Sequence, residues 1–347
     1  MNMEIQKNVP LAEYTTLHIG GPAEYVTEVK DVPELRSAAL WAKERGLPLT
    51  ILGGGSNVFA ADAGVRGLVA RIAIAGREVV ENGDEVLLTL GAGEVFDDAV
   101  LYAVSRGWWG LENLSCIPGS VGASPIQNIG AYGAEIQEVI AAVEAYDTER
   151  DETVTLLPAE CAFGYRDSLF KHEAGKHYVI TRVSYRLSKQ PRPNLAYADV
   201  AAWDAERRAR GSARGAPALA DIRAAVCAIR AKKFPDWKRV GTAGSFFKNP
   251  VISPAHFERL RTRYPALVGY PTADGFVKVP LGWILDRILG LRGARAGVVG
   301  TYEGQALVLV NHGGARAREL EIFADGIAQN VFDATSISIE REVTKFF

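Results

Sequence analysis

Cysteine, histidine and long single-character runs are scarce in this chain, and each scarcity excludes something. Only three of 347 residues are cysteine. Cys116, Cys161 and Cys227 lie far apart, form no C-x-x-C pair and leave one over, so no disulfide framework is expected and a reducing compartment fits. His18, His172, His177, His256 and His312 provide no H-E-x-x-H and no Cys/His ligand set, so no metal site is expected, and His172 and His177 read as surface residues. No G-x-S-x-G elbow marks a serine hydrolase. With neither signature, chemistry here calls for an organic cofactor.

No stretch approaches the ~18 uninterrupted apolar residues of a membrane span. The opening "MNMEIQKNVPLAEYTTLHIGG" has Lys7 but no apolar run behind it, so a cytoplasmic protein is expected. Charge of one sign is missing as well. The 39 basic and 41 acidic residues leave a net −2 without long blocks, which gives no reason to expect a nucleic-acid or membrane partner.

What is present is an ordinary globular composition, 48% hydrophobic over 347 residues, enough for two or three domains. "PELRSAALWAKERG" (33–46) reads as a helix with Leu35, Ala38, Ala39 and Trp41 near one face, followed by the strand-like "LPLTIL". "EVLLTLGAG" reads as a strand, and "EVFDDAVLYAVSRG" as a helix bearing Phe96, Val100 and Val104 with Gly107 as its stop. Residues 188–216, rich in Pro, Arg, Ala and Gly, read as an exposed connection between domains. Beyond it, "DIRAAVCAIRAKKFPD" is a helix with Ile222, Val226 and Ile229 on one stripe and Arg230, Lys232 and Lys233 in its last turn. A later helix carries Leu320, Phe323, Ile327 and Val331, and "SISIEREV" after it is strand-like. The class is mixed α and β.

Glycine is concentrated where a ligand would use it. "ILGGGSNVF" places Gly53, Gly54 and Gly55 directly after a strand, where missing Cβ atoms let backbone N–H groups approach an anion such as a pyrophosphate, with Ser56 and Asn57 adding side-chain hydrogen bonds. The pattern is neither a P-loop nor a Rossmann fingerprint, and taken alone it serves equally as a structural turn. "NLSCIPGSVGASPIQNIGAYGAE" is too punctuated by Gly and Pro for regular elements and reads as a binding surface. In "GYRDSLFK", Arg166 and Asp167 suggest a turn with a surface ion pair, or else an arginine fork for a carboxylate. "GTAGSFFKNP" sets Ser245 beside Phe246 and Phe247, either a turn feeding a packed strand or a hydroxyl held in dry surroundings. Glu340 and Glu342, two apart on an expected strand, share a face and suggest a solvated edge or a buried acid.

The ordered set "LGGGSN", "IPGSVGASPIQNIGAYG", "FGYRDSLFK", "GSFFKNP" and "EREV" resembles the bacterial UDP-N-acetylenolpyruvoylglucosamine reductases, flavoenzymes that complete UDP-N-acetylmuramate for peptidoglycan, from about residue 15 to 343. The resemblance implies an α+β architecture: an FAD-binding fold of the vanillyl-alcohol-oxidase type in two α+β subdomains, 1–70 (the C-terminal strand near 335–347 returning to it) and 71–215, and a C-terminal α+β substrate-binding domain, 216–334. It implies non-covalent FAD on Gly53, Gly54, Gly55, Ser56, Asn57, Pro118, Gly119, Ser120, Gly122, Gln127, Asn128 and Ile129, and NADPH as hydride donor. Ser245 then matches the proton donor to C2 of the enolpyruvyl group, with Arg166 and Glu342 stabilising the intermediate, Glu342 as its protonated acid and Glu340 as its rival. Tyr165, Tyr197, Lys233, Asn249 and Gln305 resemble the contacts to the nucleotide sugar. Tyr197 would lie on the tyrosine-bearing loop of the longer subtype, within 188–215, whose Arg- and Ala-rich part around 205–215 departs from the pattern. The expected partners are a nucleotide sugar and NADPH, for a monomer. Competing readings are a flavin oxidase of the same fold and a non-catalytic UDP-sugar binding module.

Overall fold

The protein is described from a computed structural model covering residues 3–210 and 215–346. Its contacts divide it into two compact units, each assembled from separate pieces of chain: Met1–Val9, Ala23–Gly54 and Arg66–Ala231 in the first, and Pro10–Pro22, Gly55–Val65 and Lys232–Phe347 in the second.

In the first unit Asp31 caps the helix Val32–Glu44 by accepting from the Glu34 N–H, Pro33 presets its first turn, and Leu35, Ala38 and Ala42 form its buried stripe. Ala39 and Trp41, expected near that face, are half-buried against the same core, where Trp41 meets Tyr25 edge-on at 5.1 Å. The strand after this helix, Leu49–Leu52, lies parallel to Val65–Ile72 in a four-stranded sheet that also holds Gln6–Pro10 and Pro22–Val29. A five-stranded antiparallel sheet runs in the order Glu152–Leu156, Ile140–Asp147, Tyr178–Ser188, Glu85–Gly91, Arg77–Asn82. The helix Phe96–Ser105 sets Phe96, Ala99, Val100 and Ala103 into the core shared with Leu88, Leu90, Val183 and Tyr185.

Residues 188–216 depart from the expectation of a wholly exposed connection. They contain the helix Ala198–Ala209, with Val200 and Asp204 buried. Val200 joins Trp109, Tyr132, Leu219, Ile222 and Val226 in a small separate core. Asp204 survives burial because Arg207 and Arg208, one turn on, both bond its carboxylate at 2.8 Å. The expected irregularity around 205–215 lies in part, at 211–214, outside the described residues.

Cysteine usage also departs from expectation. Cys116 and Cys227 form a disulfide across a sequence separation of 111 residues, and Cys161 alone is free and buried. Spacing along the chain excluded short-range frameworks but carried no information about two cysteines so far apart. Nor is His177 a surface residue: its side chain is 18% exposed and its ring stacks on Tyr178.

The second unit is built on an antiparallel sheet ordered Gly241–Ser245, Val308–Asn311, Val299–Thr301, Arg295–Ala296. The helix Ala317–Thr335 turns Leu320, Ala324, Ile327 and Val331 into its core, beside Phe246, Phe247 and Phe59. That helix has Asp62 at its start, whose carboxylate accepts from the N–H groups of Ala317 and Arg318. "SISIEREV" is not a regular strand. Thr344–Phe346, just past it, pairs in parallel with Val58–Ala60. No described helix is long and apolar enough to cross a membrane, and no described cluster could hold a metal ion.

Candidate active site

Two of the glycine-bearing segments meet within the first unit. A Cβ on Gly53 would lie 2.6 Å from Ser120 Oγ, and one on Gly54 would lie 2.8 Å from Gly119 Cα and 2.9 Å from its carbonyl carbon. Only glycine permits that approach, so Gly53 and Gly54 form with "PGS" one narrow cradle that any Cβ would fill. Gly122 backs it, its own absent Cβ replaced by Ala92. Gly55, in the second unit, has φ +65° and would drive a Cβ to 1.8 Å from Tyr14 O. A pair of facing, side-chain-free backbones suits a pyrophosphate-bearing dinucleotide, and these residues fit FAD on that ground.

Asn128 is fully buried, and its side chain is committed inside the protein. Nδ2 donates to Gly164 O and to Glu135 Oε2, both at 2.9 Å, while Oδ1 accepts from Gln137 N at 3.1 Å. It therefore shapes the wall rather than offering its amide outward. Pro118, Gln127 and Ile129 are half-buried on the same segment.

Arg166 belongs to this wall as well. Gly164 and Asp167 exchange backbone hydrogen bonds across a tight turn, with Tyr165 and Arg166 at its tip and Arg166 at φ +54°. A left-handed arginine costs about 1–2 kcal/mol and persists only where its surroundings over-determine it. Here Arg166 Nη2 donates to Gly130 O at 2.6 Å, its ring neighbour is Tyr165 at 5.6 Å, and Ser168 Oγ pins the turn to Ile126 O at 2.6 Å. Asp167, expected to pair with Arg166, bonds His172 at 2.8 Å. Burial pulls Asp167 upward, but His172, the Ser168 N–H and Lys171 together hold it below the usual carboxylate range.

Tyr197 begins the helix Ala198–Ala209 and stacks edge-on against Tyr132 at 5.3 Å. Its loop is tied down by Asn194 Nδ2 to Gly133 O at 2.8 Å and by Asn113 Nδ2 to Asn194 O at 3.0 Å. Burial pushes the Tyr132 phenol up to about 12, with Arg230 opposing. Burial likewise raises Glu112, whose Oε2 accepts from Gly110 N at 2.7 Å.

The second unit collects the remaining candidates. Ser245 ends the strand Gly241–Ser245, half-buried opposite Val308 after a register shift, with Phe246 and Phe247 almost fully buried beyond it. Phe246 O accepts from Glu342 N at 2.8 Å, and Phe247 bridges Arg341, so the late glutamate is docked one residue from the serine. Asn57 locks this arrangement: its Nδ2 donates to Glu342 O at 3.1 Å and its own carbonyl accepts from Thr344 N at 3.0 Å. The two glutamates then separate by environment. Glu340 is 75% exposed and ion-paired to Lys248 at 3.0 Å, whereas Glu342 is half-buried.

Asn249 and Gln305 converge on one short helix, Leu281–Trp283. Asn249 Oδ1 accepts from Leu281 N at 2.9 Å, and the Gln305 amide oxygen lies 2.8 Å from where a Gly282 Cβ would be. Lys233 is half-buried at the last position of the helix Leu219–Lys233.

Sequence reasoning missed the residues that hold these groups: Glu135 and Gln137 around Asn128, Ser168 behind the turn that bears Arg166, Asn113 and Asn194 behind Tyr197. Most of these bonds run to backbone groups that no motif spacing announces.

Comparison with known proteins agrees along the chain. Residues 23–156 match the family described as FAD binding domain, and residues 236–346 match the family described as the C-terminal domain of UDP-N-acetylenolpyruvoylglucosamine reductase. The chain is 42% identical over 343 residues to the UDP-N-acetylenolpyruvoylglucosamine reductase of Pseudomonas aeruginosa, covering 99% of both chains. It is 40% identical over 344 residues to the protein of that name from Chromobacterium violaceum, again covering 99% of each. Among solved structures it resembles the UDP-N-acetylenolpyruvylglucosamine reductase of Thermus caldophilus, with a TM-score of 0.68 at 25% identity over 100% of both chains.

Proposed function

From the premise that the chain belongs to the UDP-N-acetylenolpyruvoylglucosamine reductase family, we propose that Arg166, Ser245 and Glu342 carry the reducing step of its reaction. It is an FAD-dependent oxidoreductase of peptidoglycan precursor synthesis, converting UDP-N-acetylenolpyruvylglucosamine to UDP-N-acetylmuramate. FAD, when bound, would supply the hydride for C3 of the enolpyruvyl double bond, with NADPH as its donor.

Hydride addition at C3 drives negative charge toward C2 and the carboxylate. Arg166, its guanidinium fixed by the Gly130 carbonyl, offers the planar fork that matches a carboxylate. Ser245 Oγ gives its proton to C2, and Glu342, as the carboxylic acid, donates a hydrogen bond to the developing anion. Packing beside Phe246 and Phe247 keeps water from competing for that charge. Tyr165, Tyr197, Lys233, Asn249 and Gln305 hold the nucleotide sugar, and Gly53, Gly54, Gly55, Ser56 and Asn57, with the 118–129 wall, hold FAD. The reading includes a cytoplasmic monomer divided into 1–70, 71–215 and 216–334.

The observation that supports it is the 2.8 Å bond from Glu342 N to Phe246 O, which ties the backbone of the proposed acid to the residue that follows the proposed proton donor. Stopped-flow absorbance of the two half-reactions tests it. Ser245→Ala is expected to leave flavin reduction by NADPH unchanged and to slow flavin reoxidation by the enolpyruvyl substrate by ~10²- to 10⁴-fold. Equal reoxidation rates in the two proteins would remove Ser245 from the chemistry.

A further inference from the structure

The disulfide stands where the cofactor wall begins. Cys116 lies just before Pro118, Gly119 and Ser120, and its partner Cys227 sits on the helix Leu219–Lys233. Both are half-buried, unlike the fully buried Cys161, so of the three they are the more open to a solvent-borne thiol. Cys116 also has φ +61°, a left-handed conformation that a non-glycine residue keeps only under constraint. Three constraints act on it. Asp97 Oδ1 accepts from Cys116 N at 2.5 Å, Arg230 Nε donates to Cys116 O at 3.1 Å, and the sulfur bridge supplies the covalent one. Asp97 is in turn gripped by both terminal nitrogens of Arg223, at 2.7 and 2.9 Å, from the helix that carries Cys227. The helix and the start of the wall are thus joined by one breakable covalent bond and a set of polar contacts.

We propose that Cys116 and Cys227 form a reversible redox site whose state sets how firmly the flavin wall is held, with a dithiol-bearing reductant as its partner. Reduction passes two electrons and two protons from the dithiol to the bridge. The S–S bond breaks to give two thiols, and the reductant closes its own disulfide. Freed of the bridge, Cys116 relaxes from its left-handed backbone, and Gly119 and Ser120 lose their fixed distance from Gly53 and Gly54. This rests on the reading that 118–129 walls the flavin.

Thiol counting and flavin titration test it on the full-length protein. Cells lysed into N-ethylmaleimide after a brief oxidant pulse should give protein with one maleimide, on Cys161, after denaturation. Dithiothreitol treatment of the oxidised protein should give three. The FAD dissociation constant of reduced apoprotein should exceed that of the oxidised form about tenfold, the scale of a lost pre-organisation. Cys227→Ser, paired with Cys116→Ser, should match the reduced protein and ignore dithiothreitol. Three maleimides after the oxidant pulse would overturn the redox site. One maleimide with FAD affinity indifferent to dithiothreitol would overturn its control of the wall. Gly54→Ala, which leaves all cysteines intact, separates that second failure from a failure of the cradle itself: if it too leaves FAD affinity unchanged, the cradle reading is at fault.

Discussion

Gly54→Ala is the sharpest probe of the cradle. The added methyl would sit 2.8 Å from Gly119 Cα, 2.9 Å from its carbonyl carbon and 3.0 Å from Ser120 N, all backbone atoms that cannot rotate aside. Overpacking of this kind costs about 1–3 kcal/mol. Gly54 is exposed, and outward movement of its loop would recover part of that cost. With FAD in the proposed cradle both walls would be held against it, so the cost would fall on binding. At 1.4 kcal/mol per tenfold, the FAD dissociation constant should rise by roughly 5- to 150-fold. The assay is titration of apoprotein with FAD followed by flavin fluorescence, with thermal melts of the apoprotein alongside. Binding within twofold of wild type, together with an unchanged melt, would show that the gap between Gly54 and Gly119 is not where the cofactor sits.

Gly326 is the opposite case. It is exposed in the middle of the helix Ala317–Thr335 with open space where a Cβ would go, so Gly326→Ala should stabilise by about 0.5–1 kcal/mol, read as a higher denaturant midpoint. The two late glutamates should part in kinetics: Glu340→Gln breaks only an exposed pair with Lys248 and should leave kcat within about twofold, whereas Glu342→Gln should slow flavin reoxidation by at least ~10²-fold while sparing reduction by NADPH. Asp97 gives a pH test. Burial alone would raise it, but the Arg223 guanidinium and the Cys116 N–H hold it below the ordinary carboxylate range. A depressed folded pKa contributes stability above the unfolded value near ~3.9 and loses it as pH falls through the folded value. The melting-temperature gap between wild type and Asp97→Asn, reflecting roughly 2–4 kcal/mol at pH 7, should therefore close in acid; a constant gap down to pH 3 would refute the assignment.

The long helices were legible because one face of each repeats every three or four residues: Leu35 and Ala38, Phe96 and Val100, Ile222 and Val226, Leu320 and Ile327 are all buried as their spacing demands. The helix Ala198–Ala209 was not, because its buried face is a single valine and an aspartate, and an acid inside a core reads as a solvated residue until Arg207 and Arg208 are seen upon it. The same division runs through the candidate site. The glycine run permitted a close backbone approach as well as a structural turn, and Gly53 and Gly54 do meet Ser120 and Gly119 closely.

What the sequence withheld was long-range and carried by the backbone. Local pattern left Glu340 and Glu342 as equals, two positions apart. They are told apart by Lys248, which draws Glu340 outward into an exposed ion pair, and by Phe246, whose carbonyl fixes the Glu342 amide. Asn57 makes the same point from the other end of the chain, its amide spent on the Glu342 carbonyl across 285 residues. A side chain assigned to a phosphate loop by its neighbours in sequence thus also positions the proposed acid. Replacing it should therefore disturb cofactor binding and flavin reoxidation together, whereas a residue confined to the cradle, such as Gly54, should disturb the first alone.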